Sequence, residues 1–272
     1  MTYRDAKTRR AFGDMSMFKK LFGAAFAAGI VAGLLITGIQ EVTTTPLILH
    51  AEEYENGGHD HAASLKSDYV IIQTKLFSTR TPVGSEKLFL AHSNSGTEGH
   101  DHGEEEWGPE DGLERTLYTL GANITMGIAF ALMLTAAFAV HGGEMSGRRG
   151  VLWAMGGFAM FTLGPNLGLP PEVPGSMAAE LGARQMWWLG CAAATGIGLC
   201  LMVFGRKIGF VVLGILILIA PHVIGAPQPD EIGGGVPPEL AGHFAAASIV
   251  VAAVFWAMLG WLSGTFYKRF EA

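Results

Sequence analysis

Six uninterrupted apolar runs of about twenty residues each set the strongest limit on how this chain can fold. A helix needs about 20 apolar residues to cross the hydrocarbon core of a bilayer. Half of the 272 residues are hydrophobic and only 15% are charged, so the pattern predicts an all-α polytopic membrane protein with about six transmembrane helices. The runs cover residues 20–40, 117–140, 150–169, 185–204, 208–225 and 241–263.

The basic residues favour one orientation in the membrane. Twelve of the eighteen Lys and Arg residues precede the first run, follow the sixth, or lie in the second-to-third and fourth-to-fifth connections. The positive-inside rule makes these segments and both termini cytoplasmic. We therefore predict a basic tail over 1–16, a first helix over 17–40, an extracytoplasmic loop over 41–116, the remaining five helices over 117–265 and a cytoplasmic tail over 266–272.

The long loop has the composition of a metal-binding segment. Residues 41–114 contain fifteen acidic and four basic residues, and the sequence Gly-His-Asp-His occurs twice. In an extended segment the two imidazoles of His-Asp-His project from one side, about 7 Å apart, and four imidazoles can complete a metal shell. The alternative is a solvated acidic loop that binds no ion. The candidate metal ligands are His59, Asp60, His61, His100, Asp101 and His102.

The last four runs resemble two copies of one hairpin. The third and fifth runs end in Pro followed by a polar residue, and the fourth and sixth open with Glu-Leu. This pattern predicts a parallel repeat, and matched proline breaks indicate a transporter site because broken helices free carbonyl groups. Alternatively, these are ordinary helix-ending prolines. Glu180 with Arg184, and Glu239 with His243, have the i, i+4 spacing for pairing on one helix face.

Polar residues concentrate in the outer third of the predicted membrane region, which suggests an outward-facing vestibule beneath the loop. Two members have simpler interpretations: Glu41 as a solvated helix end and Asn123 as an interhelical hydrogen bond. At the start of the second helix, Asp111 and Glu114 have capping-box spacing. The vestibule candidates are Glu41, His50, Glu52, Asn123, Asn166, Glu180, Arg184, His222, Glu239 and His243.

Small residues indicate where helices approach one another closely. Gly29 and Gly33 form a Gly-x-x-x-Gly face in the first helix. The same spacing at 205 and 209, and at 260 and 264, predicts faces for an oligomer or a second subunit. Cys191 and Cys200, nine residues apart in one span, indicate neither a disulfide nor a Cys-x-x-Cys metal site and are interpreted as small apolar residues.

Several functions are disfavoured by absent motifs. The chain has no phosphate-binding loop, no hydrolase motif and no basic groove with interleaved aromatics, so neither nucleotide, enzymatic activity nor nucleic acid is expected. Haem ligation in a membrane oxidoreductase would require His141, His222 and His243 to act together. Since the first is predicted at the cytoplasmic side and the others near the outer face, no haem is expected either.

The resemblance to one family rests on a set of short motifs. Met17-Phe18-Lys19-Lys20, the His/Asp-rich insert, Gly112-Leu113-Glu114-Arg115-Thr116 and the Pro/Gly-rich segment 165–175 together resemble the CbtA family of proposed cobalt transporter subunits. Further motifs are Thr45-Pro46-Leu47-Ile48-Leu49, Ala51-Glu52, Tyr54-Glu55 and Trp107-x-Pro109. The family is described with five spans, whereas the apolar runs here number six.

The resemblance implies a bacterial inner-membrane protein that takes up cobalt for cobalamin synthesis, accompanied by a small one-span His-bearing partner, CbtB. A transporter component for Co(II) is therefore the first hypothesis, and a metal-sensing or buffering membrane protein is the second. Nickel or zinc remains an alternative substrate, because the same ligand types hold several divalent metals.

Overall fold

The computed structural model describes residues 3–54, 109–229 and 234–270, and each of the six apolar runs lies in a helical region. No β-strand occurs within these described ranges, where a single antiparallel bridge joins Ser176 and Gly234. The helical elements are α1 (Tyr3–Val42), α2 (44–54), α3 (Leu113–His141), α4 (Gly147–Phe158), a π-helical segment (Ala159–Leu163), α5 (Gly164–Asn166), α6 (Leu181–Phe204), α7 (Ile208–Ile224) and α8 (Pro238–Arg269).

Four helices are long and apolar enough to cross a membrane: Phe18–Val42 of α1, together with α3, α6 and α8. The fifth, α7, has 17 residues, and α4, the π segment and α5 follow one another without a break. The all-helical class is therefore confirmed with four candidate spans. Helix α1 begins at Tyr3, inside the predicted basic tail, and α8 continues to Arg269.

The first helix packs along α3 through the predicted Gly-x-x-x-Gly face. A Cβ atom on Gly29 would lie 2.5 Å from the Ile128 Cα, and one on Gly33 would lie 2.7 Å from the Ile124 Cα. Both distances are far below van der Waals contact, so only glycine permits this approach of the two backbones. The predicted close-packing role of Gly29 and Gly33 is confirmed.

A second glycine contact joins α4 to α8. A Cβ atom on Gly260 would lie 2.5 Å from the carbonyl oxygen of Gly150, and one on Gly264 would lie 3.1 Å from the Gly150 Cα. The prediction that this face serves an oligomer or second subunit is wrong for the 260/264 pair, because α4 already occupies it. Helix α8 also packs against α1 and α3, so α1, α3, α4 and α8 form one block.

The remaining helices form a pair, α6 with α7, that contacts the block mainly through the π segment and α5. If α4 is matched with α7 and α6 with α8, as in the two predicted hairpin copies, the α4–α8 contact corresponds to the α6–α7 contact. The contact between α6 and the α4–α5 helix has no equally extensive counterpart between α7 and α8. The two hairpins therefore differ in packing.

The two ends of the bundle differ in chemistry. At one end the Lys20 ammonium lies 4.3 Å from the centre of the Tyr267 ring, and the His141 ring packs against Trp153 and Phe204 at 5.3 and 6.5 Å. The connections between the second and third runs and between the fourth and fifth runs, which carry basic residues, lie at this end. We call it the basic end. The opposite end, which contains the last described residues of α2 and the start of α3, is called the loop end.

Candidate functional site

Polar side chains join α1 to α3 near the loop end. The Asn123 amide donates to Thr37 Oγ1 at 2.9 Å and to Gln40 Oε1 at 2.6 Å, and the Thr37 hydroxyl donates to the Gly33 carbonyl at 2.8 Å. Each buried polar group that is hydrogen-bonded avoids the cost of desolvation without a partner. The arrangement agrees with the interpretation of Asn123 as an interhelical hydrogen bond.

One turn nearer the loop end, Glu41 joins the same two helices. Its Oε1 accepts a hydrogen bond from the Thr116 hydroxyl at 2.9 Å. The bond occupies one carboxylate oxygen with a neutral donor and adds no positive charge, so Glu41 keeps capacity to bind a cation. The side chain is half-buried.

Helix α2 is held to α3 by a bidentate ion pair. Arg115 donates from Nη1 to Glu52 Oε1 at 2.8 Å and from Nη2 to Glu52 Oε2 at 3.1 Å, and Nη2 also lies 2.8 Å from Asp111 Oδ1. The predicted capping box is wrong: Gly112 occupies the N-cap with φ 94°, and no side chain caps the helix. Asp111 turns to Arg115 instead.

Sequence reasoning left Arg115 out of the site, although a signal for it was present. Arg115 lies in the first turn of a membrane-spanning helix, and an ionised side chain near the hydrocarbon is usually paired. Glu52 and Asp111 are its partners. Glu52 is therefore in a structural ion pair, which lowers its capacity to take part in a metal shell.

At the start of α6, Glu180 acts as the helix cap. Its carboxylate accepts hydrogen bonds from the backbone N–H groups of Gly182 and Ala183 at 2.8 and 2.7 Å. These two bonds favour the charged form and lower the pKa of Glu180 below its ordinary value of 4.5. The suggested pairing of Glu180 with Arg184 is wrong, because Arg184 Nη2 lies 2.7 Å from Glu172 Oε2.

The halves of α6 and α7 that lie towards the loop end bring together a thiol and an imidazole. Cys191 Sγ lies 3.9 Å from His222 Nε2, and the Cys191 side chain is fully buried. The Trp187 ring packs edge-on against the His222 ring at 5.9 Å, and its indole N–H donates to the Pro221 carbonyl at 3.3 Å. The interpretation of Cys191 as only a small apolar residue missed this neighbour.

The other vestibule candidates lie apart from these contacts. Glu239 and His243 are exposed on the first turns of α8, and Asn166 is half-buried at the end of α5. The His50 ring is exposed on α2 and packs against the Tyr54 ring at 5.4 Å. The structure thus distributes the ten candidates over several helix ends.

The connections at the loop end meet one another. The Ser176–Gly234 bridge ties the segment after α5 to the segment before α8, and a Cβ atom on Gly235 would lie 3.4 Å from the Tyr54 carbonyl oxygen. The end of α2 therefore rests on the connection between α7 and α8.

Metal-binding capacity within the described ranges is low. No group of three His, Cys, Asp or Glu side chains there is arranged to hold a metal ion. The six predicted metal ligands, His59 to His61 and His100 to His102, lie outside the described residues. The predicted capture site is therefore neither supported nor opposed by the structure.

A cavity of about 1370 Å³ lies towards the basic end, between α3, α4, the π segment, α6 and α8. Its wall is almost entirely apolar, with His141, Cys200, Arg206 and Lys207 among the few polar side chains. None of the vestibule candidates lines it, so its size alone does not make it an ion path.

Comparison with protein families identifies a model described as "Probable cobalt transporter subunit (CbtA)", which matches residues 18–268. No curated protein and no solved structure matches the chain. The matched region begins within α1 and ends within the last turn of α8, so it covers every helix except the part of α1 that precedes residue 18.

Proposed function

The chain belongs to the CbtA family, and we propose that it is the membrane-embedded subunit of a transporter that takes up Co(II). The observation that carries this proposal is the family match over nearly the entire chain. The residue types at the loop end support it, because Glu41, Glu239 and His243 there supply carboxylate and imidazole groups, the usual protein ligands of divalent first-row metals.

We propose six crossings of the bacterial inner membrane with the N-terminus in the cytoplasm. The basic end supports this orientation under the positive-inside rule. Helix α7 has 17 residues and a length of about 26 Å at 1.5 Å per residue, slightly below the hydrocarbon thickness of about 30 Å. A short mismatch of this size can be met by local thinning of the bilayer.

In the proposed mechanism the loop captures the metal. His59, His61, His100 and His102 bind Co(II), and Asp60 and Asp101 add charge attraction. The bundle offers no three-ligand group in its described part, and weak or incomplete sites suit transfer because a transported ion must be able to leave. Capture in the loop followed by weaker sites in the bundle gives the ion a path inward.

The vestibule is the second step of the proposal. Glu41 has one neutral hydrogen-bond partner, and Glu239 and His243 are exposed without an ion pair or hydrogen bond within the described ranges. Pro221, inside α7, has no N–H to donate to the carbonyl of Ile217, so that oxygen lacks its usual helical donor. These groups are the proposed contacts of the entering metal.

The word subunit in the family description supports a partner component. We propose a small one-span, His-bearing partner of the CbtB type, with self-association as a further possibility for completing the path. Co-purification of the two chains from the native membrane tests the partner directly.

The central experiment measures labelled Co(II) uptake in cells that express the chain with all four loop histidines replaced by Ala. We expect uptake to fall strongly at low external cobalt and much less at high cobalt, because a capture site matters only while cobalt is scarce. A matched control replaces Glu104, Glu105 and Glu106 with Gln, which removes charge but leaves both His-Asp-His motifs. Equal uptake by the His variant and the unmodified chain at both concentrations would reject capture.

Reconstituted vesicles separate transport from sensing or buffering. A transporter accumulates Co(II) in the lumen, whereas a sensor binds Co(II) without accumulation. Competition with Ni(II) and Zn(II) in the same vesicles identifies the preferred metal, which the ligand types alone do not determine.

A further inference from the structure

The Cys191–His222 pair has a geometry suited to sharing one metal ion. Bonds of about 2.3 Å to thiolate sulfur and about 2.0–2.1 Å to imidazole nitrogen, at a tetrahedral angle, separate the two ligand atoms by about 3.6 Å. The observed separation of 3.9 Å needs an adjustment of only a few tenths of an ångström. The sequence keeps the two residues 31 positions apart, and helix pairing brings them together.

We propose that Cys191 Sγ and His222 Nε2 bind the transported Co(II) as a transit site inside the bundle. The proposal rests on the proposed function for the identity of the metal. It assigns a ligand role to Cys191 and places the first intramembrane site between α6 and α7.

The surroundings of the pair support a ligand role. Thr195, one turn further along α6, is 3% exposed, and its hydroxyl lies beside the Cys191 thiol. A third oxygen ligand is therefore close to the pair. Trp187, one turn before Cys191 on α6, packs edge-on against the His222 ring.

The site lies at the point where α7 stops. Helix α7 ends at Ile224, two residues after His222, whereas Cys191 lies ten residues inside α6, about 15 Å from the first residue of that helix at 1.5 Å per residue. Beyond Ile224 the chain continues at the loop end, so the pair lies nearer the loop end than the basic end.

Binding would proceed with loss of one proton. The Cys191 thiol gives its proton to water as the sulfur bonds to Co(II), and His222 binds through the lone pair of unprotonated Nε2. Two protein ligands leave the remaining positions to water or to the Thr195 hydroxyl. Such a partial shell holds the ion weakly enough for release.

The test is a Co(II) titration of the purified full chain, followed by the thiolate-to-cobalt charge-transfer absorption. We use the variant that lacks the four loop histidines, so that only the bundle binds. The band is expected in that background, and Cys191→Ser is expected to abolish it. Cys200→Ser is the matched control, since Cys200 lies in the same helix but lines the apolar cavity, and it should keep the band.

His222→Gln should keep a thiolate band but weaken Co(II) affinity by at least about 10-fold. Loss of a group that only supports a metal ligand already costs about 10-fold, and loss of a ligand itself should cost no less. His141→Gln, at the basic end, should leave the affinity unchanged. Absence of the band in the Cys200→Ser background, or its persistence in Cys191→Ser, would overturn the proposal.

The absorption band tests the metal site, and cobalt accumulation in vesicles tests transport, so the two proposals can be rejected separately. A band that depends on Cys191, in a protein that accumulates no cobalt in vesicles, keeps the metal site and rejects transport. Cobalt accumulation that is unaffected by Cys191→Ser, with no band, keeps transport and rejects the site.

Discussion

Replacing Gly29 with Ala tests the packing of α1 on α3. The added Cβ would lie 2.5 Å from the Ile128 Cα, against about 3.4 Å at the lower edge of ordinary contact, so the backbones must separate by 3.4 − 2.5, or about 0.9 Å. Overpacking of this kind costs about 1–3 kcal/mol. The Gly-to-Ala change itself favours a helix by about 0.8–1.0 kcal/mol, which reduces the net loss.

Gly38→Ala is the control that isolates the packing cost. Gly38 lies in the same helix, and a Cβ there meets nothing within 4 Å. It carries the same helix-propensity gain, so the two variants should differ by the full overpacking cost of about 1–3 kcal/mol. At about 2–4 °C per kcal/mol for a chain of this size class, thermal unfolding in one detergent resolves the difference. Equal midpoints for Gly29→Ala and Gly38→Ala would refute the glycine-dependent contact.

Two further predictions concern the loop end. A double-mutant cycle with Glu52→Gln and Arg115→Gln, read by thermal unfolding, should give a coupling energy of about 1 kcal/mol for this partly exposed bidentate pair, and additive single effects would show that the pair does not form. Because the pKa of Glu180 is lower in the folded protein, its charged carboxylate stabilises the fold above pH 4.5. This stabilisation is lost as the pH falls through the folded-state pKa. Glu180→Gln should therefore flatten the acid limb of the stability curve below about pH 4.5, and an unchanged acid limb would contradict the cap.

The elements that were predictable from the sequence are those governed by local patterns. Each apolar run forms a helix, because a helix satisfies all of the backbone N–H and C=O groups of a segment that has no water to bond to in a membrane. The Gly29 and Gly33 contact followed from spacing alone, since one face of a helix repeats every three to four residues. Asn123 could be interpreted correctly because an amide in an apolar span needs a polar partner on another helix.

Contacts between distant residues were the part that sequence could not supply. Glu52 and Arg115 are 63 positions apart, and the pair depends on how α2 folds back on α3. Glu180 and Arg184 have a spacing that suits pairing, but the free N–H groups at the start of α6 bind the carboxylate first, and Arg184 turns to Glu172. Local spacing gives possible partners, and the tertiary structure selects among them.

The candidate metal ligands also differ in how far the sequence predicts them. The His-Asp-His motifs were found by composition, which needs no fold. The nearness of Cys191 to His222 depends on the register of two antiparallel helices, which the Gly198–Gly214 contact determines: a Cβ on either glycine would lie 2.7 Å from the carbonyl oxygen of the other. No single-sequence pattern predicts that register.

The attachment of α6 and α7 to the rest of the bundle has a mechanical consequence. The four-helix block is joined by close backbone contacts at glycines, whereas the α6–α7 pair meets it mainly at the π segment and α5. Rocking of that pair as one rigid arm would preserve the 3.9 Å spacing between thiol and imidazole. Such a movement would change only the surfaces that face the arm, and it would leave the distance between the two proposed ligands unchanged.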